Sequence, residues 1–294
     1  MASLLYSKRI VSGLCAGLFG LLVVGIGGVF FTFALCSIVH LALIEYFRMA
    51  EFAGIKPATK TTLFACQILL ITTYCDSQGF FGGDFASAVL ALSGALICLW
   101  LLLQPVTGSI SDIAASIFGL FYLGYLPSYW IRLRNLIDID SLPLNELINN
   151  NSELFTPGLI ITLVSCLMIV ASDIGSYYFG RIFGKIPLTP ISPSKTIEGA
   201  VLGIFCSIFI GILTSYILNL DFFGFLLSSL LGALVGLLAI VGDLIESMLK
   251  RDAGIKDSGN VLPGHGGIFD RIDSYIFTPS IVYYLIKIII PIVN

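Results

Sequence analysis

Residues 10–47 read IVSGLCAGLFGLLVVGIGGVFFTFALCSIVHLALIEYF, and Glu45 is the one acid or strong base among them. As a single helix these 38 residues would extend about 57 Å at 1.5 Å per residue. The hydrocarbon core of a bilayer is only about 30 Å thick and takes roughly 20 apolar residues to cross. The run must therefore break and cross twice. Gly25, Gly27 and Gly28 mark the break, giving spans near 10–26 and 28–47. The run is too long for the apolar region of a secretory signal, so the N-terminus is not expected to be cleaved.

Further apolar runs follow at about 61–76, 86–103, 109–131, 157–178, 199–219, 222–245 and 274–292, with 61–76 the shortest. In hydrocarbon a chain must satisfy its own backbone groups, and helices do so within one segment. The expected fold is all-α: a polytopic integral membrane protein of about nine transmembrane helices. Composition agrees, because 57% of the 294 residues are hydrophobic and 11% charged, against about 25% charged in soluble domains. Fifteen Lys and Arg against eighteen Asp and Glu leave a net charge of −3, which argues against a nucleic-acid partner. The seven cysteines lie within or beside apolar runs without a C-x-x-C pair. They read as buried thiols, neither a disulfide framework nor a zinc site.

Cytoplasmic loops carry the excess of Lys and Arg. With the N-terminus inside, those loops hold Lys8, Arg9, Arg48, Lys56, Lys60, Arg181, Lys185, Lys195, Lys250, Arg251, Lys256 and Arg271, leaving Arg132, Arg134 and Lys287 outside. This bias orients the chain N-inside and C-outside. The charge-rich segments 172–198 and 246–273 then face the cytoplasm.

Ionised groups at membrane depth are costly and usually line polar cavities. Asp173 closes the apolar run Leu159–Ala171, and Asp243 sits within Leu237–Ile245; neither has a basic residue within one turn of its own helix. Each also admits the plainer reading of a polar cap at the interface. If the helix continues past Asp243, Ser247, Lys250 and Arg251 fall on the same face at spacings of four, seven and eight. The following 253–267 stretch is rich in Gly and turn residues, so its backbone can approach an anion and present N–H groups to it. Asp270 and Asp273 are three apart, which on a helical turn aims both carboxylates one way. Mg²⁺ binds one or two carboxylates together with phosphate oxygens. Asp243, Asp270 and Asp273 with Lys250, Arg251, Lys256 and Arg271 thus suit a metal-bound polyphosphate. His265 reads equally as a phosphate contact or as a residue that orders its loop.

The stretch 247–273, SMLKRDAGIKDSGNVLPGHGGIFDRID, resembles the signature of the phosphatidate cytidylyltransferases, the CDP-diacylglycerol synthases: S-x-x-K-R, then K-D, then P-G-H-G-G-x-x-D-R-x-D. Residues 172–185, SDIGSYYFGRIFGK, are similar to that family's D-x-x-A-Y-x-x-G-R-x-x-G-K stretch, and 191–199, ISPSKTIEG, to its S-P-K-K-T-W-E-G stretch. Ser176, Ser194 and Ile197 depart from the Ala, Lys and Trp usual there. The resemblance is dense over 172–273, while the N-terminal half matches only as apolar spans. No family role extends to Glu45 or Asp112.

The resemblance implies transfer of CMP from CTP to phosphatidate, giving CDP-diacylglycerol and pyrophosphate, with Mg²⁺, a pair of ions, as cofactor. It implies metal ligation by Asp243, Asp270 and Asp273, and catalytic contacts from Ser247, Lys250, Arg251, Lys256 and Arg271. Substrate contacts fall to Asp173, Lys195, Asp257, His265, Gly266 and Gly267. Residues 1–156 would form an N-terminal set of about five spans with a polar extracytoplasmic loop, and 157–294 the catalytic membrane region. The partners implied are CTP, phosphatidate and the lipid bilayer, with room for a homodimer. The location implied is a bacterial inner membrane with the active site facing the cytoplasm. Three rivals fit less well. A CDP-alcohol phosphotransferase needs D-G-x-x-A-R followed by G-x-x-x-D-x-x-x-D, which is absent. A transporter would carry its acids near the midplane in two related halves. A lipid kinase of related fold would lack the complete H-G-G-x-x-D-R-x-D ending.

Overall fold

A computed structural model describes residues 17–80, 84–136, 156–218, 224–259 and 266–293, with side chains to Ile288. Its helices are α1 (Gly17–Ile26), α2 (Gly28–Phe52), α3 (Thr59–Ser77), α4 (Phe85–Leu102), α5 (Ile110–Arg134), α6 (Pro157–Phe183), α7 (Ile197–Ile217), α8 (Gly224–Asp252), the one-turn α9 (Phe269–Ile272) and α10 (Thr278–Val293). Setting aside α9, nine helices remain among the described residues, one for each expected span. Six of them, α2 and α4–α8, are long and apolar enough to cross a membrane. Large apolar side chains such as Phe33, Phe209, Tyr216 and Leu226 stand exposed on these helices, as lipid-facing residues do. The protein is an all-α polytopic membrane protein. The break in the first run falls at Gly27 and Gly28, both with positive φ, a region glycine enters without a Cβ clash.

The chain forms two compact units, Met1–Arg132 with Leu249–Ile272, and Leu133–Met248 with Asp273–Asn294. The signature segment is thereby divided. Its part from Leu249 to Ile272 groups with the N-terminal helices, and the rest with residues 133–248.

In the first unit, α2, α3 and α5 pack around Leu43, Phe47, Leu69, Leu70, Tyr122 and Leu123, all buried. Gly124 lies so close to Cys66 that a Cβ there would strike its sulfur. Within α5, residues Leu120–Tyr125 are π-helical. The wider turn comes just before Pro127, which has no N–H and whose ring crowds the carbonyl four residues back. The Asp112 carboxylate accepts the N–H of Ser109 at 2.7 Å, forming a capping box, and that of Lys56 at 2.7 Å. It thus ties the α2–α3 link to the start of α5. At the opposite end of α5, Arg132 meets Asp84 at 3.3 Å, beside the start of α4. These contacts place alternate helix ends together, as an up-and-down chain requires.

In the second unit, α6 and α7 approach at Gly175, Gly199 and Gly203, where added Cβ atoms would strike Cys206, the Ser176 carbonyl and the Ser176 side chain. Small residues permit such close packing where no hydrophobic effect drives helices together. A hairpin joins them: β1 (Pro187–Thr189) pairs antiparallel with β2 (Ser192–Thr196), Thr189 opposite Ser192. Thr196 caps α7, and Glu198 in its first turn accepts the N–H of Lys185 at 3.1 Å. Lys195 is thereby held on a short, braced strand.

Candidate active site

In the second unit, Asp243 and Glu246 are three residues apart on α8 and therefore share a face. Asp273 joins them from the 3₁₀ turn Asp273–Tyr275, and one ligand oxygen of each carboxylate lies within 4.8 Å of the others. Gly242 makes this approach possible, since a Cβ there would collide with the Asp273 carbonyl oxygen. Glu246 and Asp273 are buried and Asp243 half-buried.

Lys195 reaches across from β2 to form an ion pair with Asp243. The basic partner missing from Asp243's own helix is supplied by the hairpin. Asp173, on α6, accepts the Ser274 hydroxyl at 3.2 Å, while the Ser274 N–H binds Asp273 at 2.8 Å. Burial, then the neighbouring charge of Asp243, pushes the Asp273 carboxyl well above the usual carboxylate range, and the Ser274 N–H offsets part of this. Three carboxylates close together, only one of them paired with an ammonium, offer hard oxygen donors in excess, the donor set a divalent cation such as Mg²⁺ takes. This cluster can hold a metal ion.

In the first unit the signature segment is pinned differently. Lys250, in the last turn of α8, pairs with Asp270 of α9 at 3.0 Å. Asp270 also accepts the N–H of Ser258 at 3.2 Å and that of Gly267 at 2.8 Å. Gly266 has φ +84° and no room for a Cβ beside the Asp270 carboxylate, so its place needs glycine. Phe269 is fully buried, with ring edges of Tyr46 and Tyr122 at 6.5 and 6.2 Å between centroids. Beneath it, Glu45 of α2 accepts from Ser258, Ile268 and Phe269. Arg251, Lys256, Asp257 and Arg271 present exposed side chains.

Of the residues expected at the site, the second unit gathers Asp173, Lys195, Asp243 and Asp273, and the first gathers Lys250, Gly266, Gly267 and Asp270. α8 stays helical through Ser247, Lys250 and Arg251, as their common face requires. Asp270 and Asp273 do not continue one α-helical turn, for α9 ends at Ile272. His265 lies outside the described residues. Glu246 was missed by the sequence reading, although its i+3 spacing from Asp243 was the signal that could have found it. Glu45 carried a signal too, as a lone acid in an apolar run.

A family model described as the cytidylyltransferase family matches residues 7–289. The chain is 42% identical to the phosphatidate cytidylyltransferase of Synechocystis over 98% of its own length and 99% of the relative's. It is 37% identical to the chloroplastic phosphatidate cytidylyltransferase 4 of Arabidopsis thaliana, over 95% of this chain and 73% of that one. Against the phosphatidate cytidylyltransferase of Bacillus subtilis the identity is 31%, covering 96% and 97%. With matches running nearly end to end, the chain belongs to the cytidylyltransferase family.

Proposed function

We infer that the protein transfers the CMP moiety of CTP to phosphatidate, releasing pyrophosphate and forming CDP-diacylglycerol for phospholipid synthesis. The observation that carries this reading is a cluster of three carboxylates, one of them paired with a lysine, in a chain that matches named phosphatidate cytidylyltransferases almost end to end. In the reaction a phosphate oxygen of phosphatidate attacks the α-phosphorus of CTP, that P–O bond forms, and the bond to pyrophosphate breaks. The chain's work is to align two anions and to offset their charge.

Asp243, Glu246 and Asp273 would hold Mg²⁺, which when bound neutralises phosphate charge and lowers the barrier to displacement. A second ion would need donors beyond these three. Asp270 remains proposed as a further metal contact. Lys250, Arg251, Lys256 and Arg271 supply cations for phosphate oxygens, and Ser247 a hydroxyl. Lys195, paired with Asp243, is a further cation that would reach a phosphate oxygen. Asp173, Asp257, His265, Gly266 and Gly267 complete the proposed substrate contacts. No general base is needed, since a phosphate monoester with a second pKa of about 6 is mostly dianionic at pH 7. The diacyl chains stay in the bilayer and the site faces the cytoplasm of a bacterial inner membrane, where CTP is made.

The test is label transfer by the purified protein. With α-labelled CTP and phosphatidate, label enters lipid and pyrophosphate is released in equal amount, both dependent on Mg²⁺. Label entering lipid from γ-labelled CTP instead would mark a lipid kinase. No transfer from either would sink the reading.

A further inference from the structure

Glu45 has no part in the chemistry above, yet it is 1% exposed and fully engaged. Its Oε2 accepts the Ser258 hydroxyl at 2.9 Å and the Phe269 N–H at 2.8 Å, and its Oε1 accepts the Ile268 N–H at 3.0 Å. Every partner is a donor, the set an ionised carboxylate takes. These partners lie 213 to 224 residues further along the chain. Gly259 and Gly267 complete the fit, because a Cβ at either would run into the Glu45 carboxylate. An apolar residue of the same size would leave the Ser258 hydroxyl and the Ile268 and Phe269 N–H groups without their acceptor, so the carboxylate is what holds these residues in place.

The same segment is gripped from its other side by Asp270. Ser258 gives its hydroxyl to Glu45 and its N–H to Asp270, while Gly267 donates to Asp270 next to the two N–H groups held by Glu45. Asp270 in turn holds the Lys250 ammonium. A continuous chain of contacts therefore runs from Glu45 through Ser258 and residues 267–269 to Asp270 and Lys250.

We propose that Glu45 is a positioning residue for the nucleotide end of the reaction: its carboxylate sets Ser258, Ile268 and Phe269 and, through them, the placement of Asp270 and of the phosphate-holding Lys250. The proposal rests on the cytidylyltransferase reading. Its action is indirect, so it should show in how CTP is held and not only in how much protein folds.

Glu45→Gln keeps the size of the side chain but turns one acceptor into a donor facing N–H groups. The expected result is a fall in kcat/KM for CTP of about tenfold or more, chiefly through KM for CTP, with KM for phosphatidate within about twofold. Hydrogen exchange at the amides of Ile268 and Phe269 should quicken in the same variant. Ser258→Ala, which removes one contact only, should act in the same direction but less, and the double variant should fall short of the product of the two. Wild-type protein that transfers no label from CTP would refute the reaction, while the exchange arm would still report the clamp. Active wild type beside a folded Glu45→Gln enzyme with unchanged KM for CTP, whatever its yield or melting temperature, overturns the proposal. If Glu45→Gln does not fold, Ser258→Ala with unchanged KM for CTP and unchanged exchange overturns it equally.

Discussion

Two sets of buried or half-buried carboxylates are satisfied in opposite ways. In the second unit Asp243, Glu246 and Asp273 crowd together, with Lys195 paired to Asp243, so carboxylates face one another at short range. In the first, Glu45 and Asp270 each meet an array of N–H, hydroxyl or ammonium donors. An ion at membrane depth must be compensated, and the kind of compensation shows what the group is for. Donors built into the chain make a joint. A surplus of negative charge leaves room for a mobile cation.

The largest effect should come from breaking the crowded set. Asp243→Asn or Asp273→Asn should reduce turnover roughly 10³-fold, the scale of losing a main electrostatic stabiliser, while the protein reaches the membrane at wild-type level. Activity within tenfold of wild type for Asp273→Asn would remove it from the metal set. Glu246→Gln should cost about ten- to hundredfold and raise the Mg²⁺ concentration needed for half-maximal rate. An unchanged Mg²⁺ requirement would reduce the cluster to two working carboxylates.

Next come the cations. Loss of a charge-assisted contact costs about 1.5–3 kcal/mol, or roughly ten- to hundredfold in rate. Lys250→Ala, Arg251→Ala and Arg271→Ala should each show such a fall in steady-state rate, and Arg251→Lys should not restore the wild-type rate, because an ammonium cannot make a bidentate contact. Lys56→Ala and Lys60→Ala should leave the rate nearly unchanged; the Asp112 bond uses the Lys56 backbone N–H, which alanine keeps. Small, equal effects in both groups would make the signature cations an ordinary interfacial belt.

The smallest effect on turnover should come from Asp112→Asn. This is a joint whose carboxylate holds the backbone N–H groups of Lys56 and Ser109. About 1.5–3 kcal/mol of stability should be lost on replacing it, by the scale of hydrogen bonds to charged groups. Thermal unfolding in detergent should detect that loss at a kcat within twofold of wild type. A large fall in kcat would blur the distinction between joint and metal site.

Much of this was legible in one dimension. Span number, the break at Gly27–Gly28 and the continued helix through Arg251 follow from run length, glycine placement and spacing, because a membrane helix makes its hydrogen bonds within its own segment. The signature motif carried the family. Less legible was which acid does what. Asp270 and Asp273 look equivalent three residues apart, yet α9 ends between them and they fall in different compact units.

Glu45 and Ser258 show why spacing could not resolve that difference. A carboxylate's role depends on which donors and charges surround it, and here those come from residues more than two hundred positions away. The sequence by itself determined the membrane class, the helices and the family, since these depend on local composition, short-range periodicity and motif. Only the tertiary structure decided that Glu246 joins Asp243 and Asp273, that Lys195 on a hairpin is Asp243's partner, and that Glu45 clamps the signature segment. Hydrogen bonds and ion pairs act over a few ångströms, and only folding brings such distant residues within that reach.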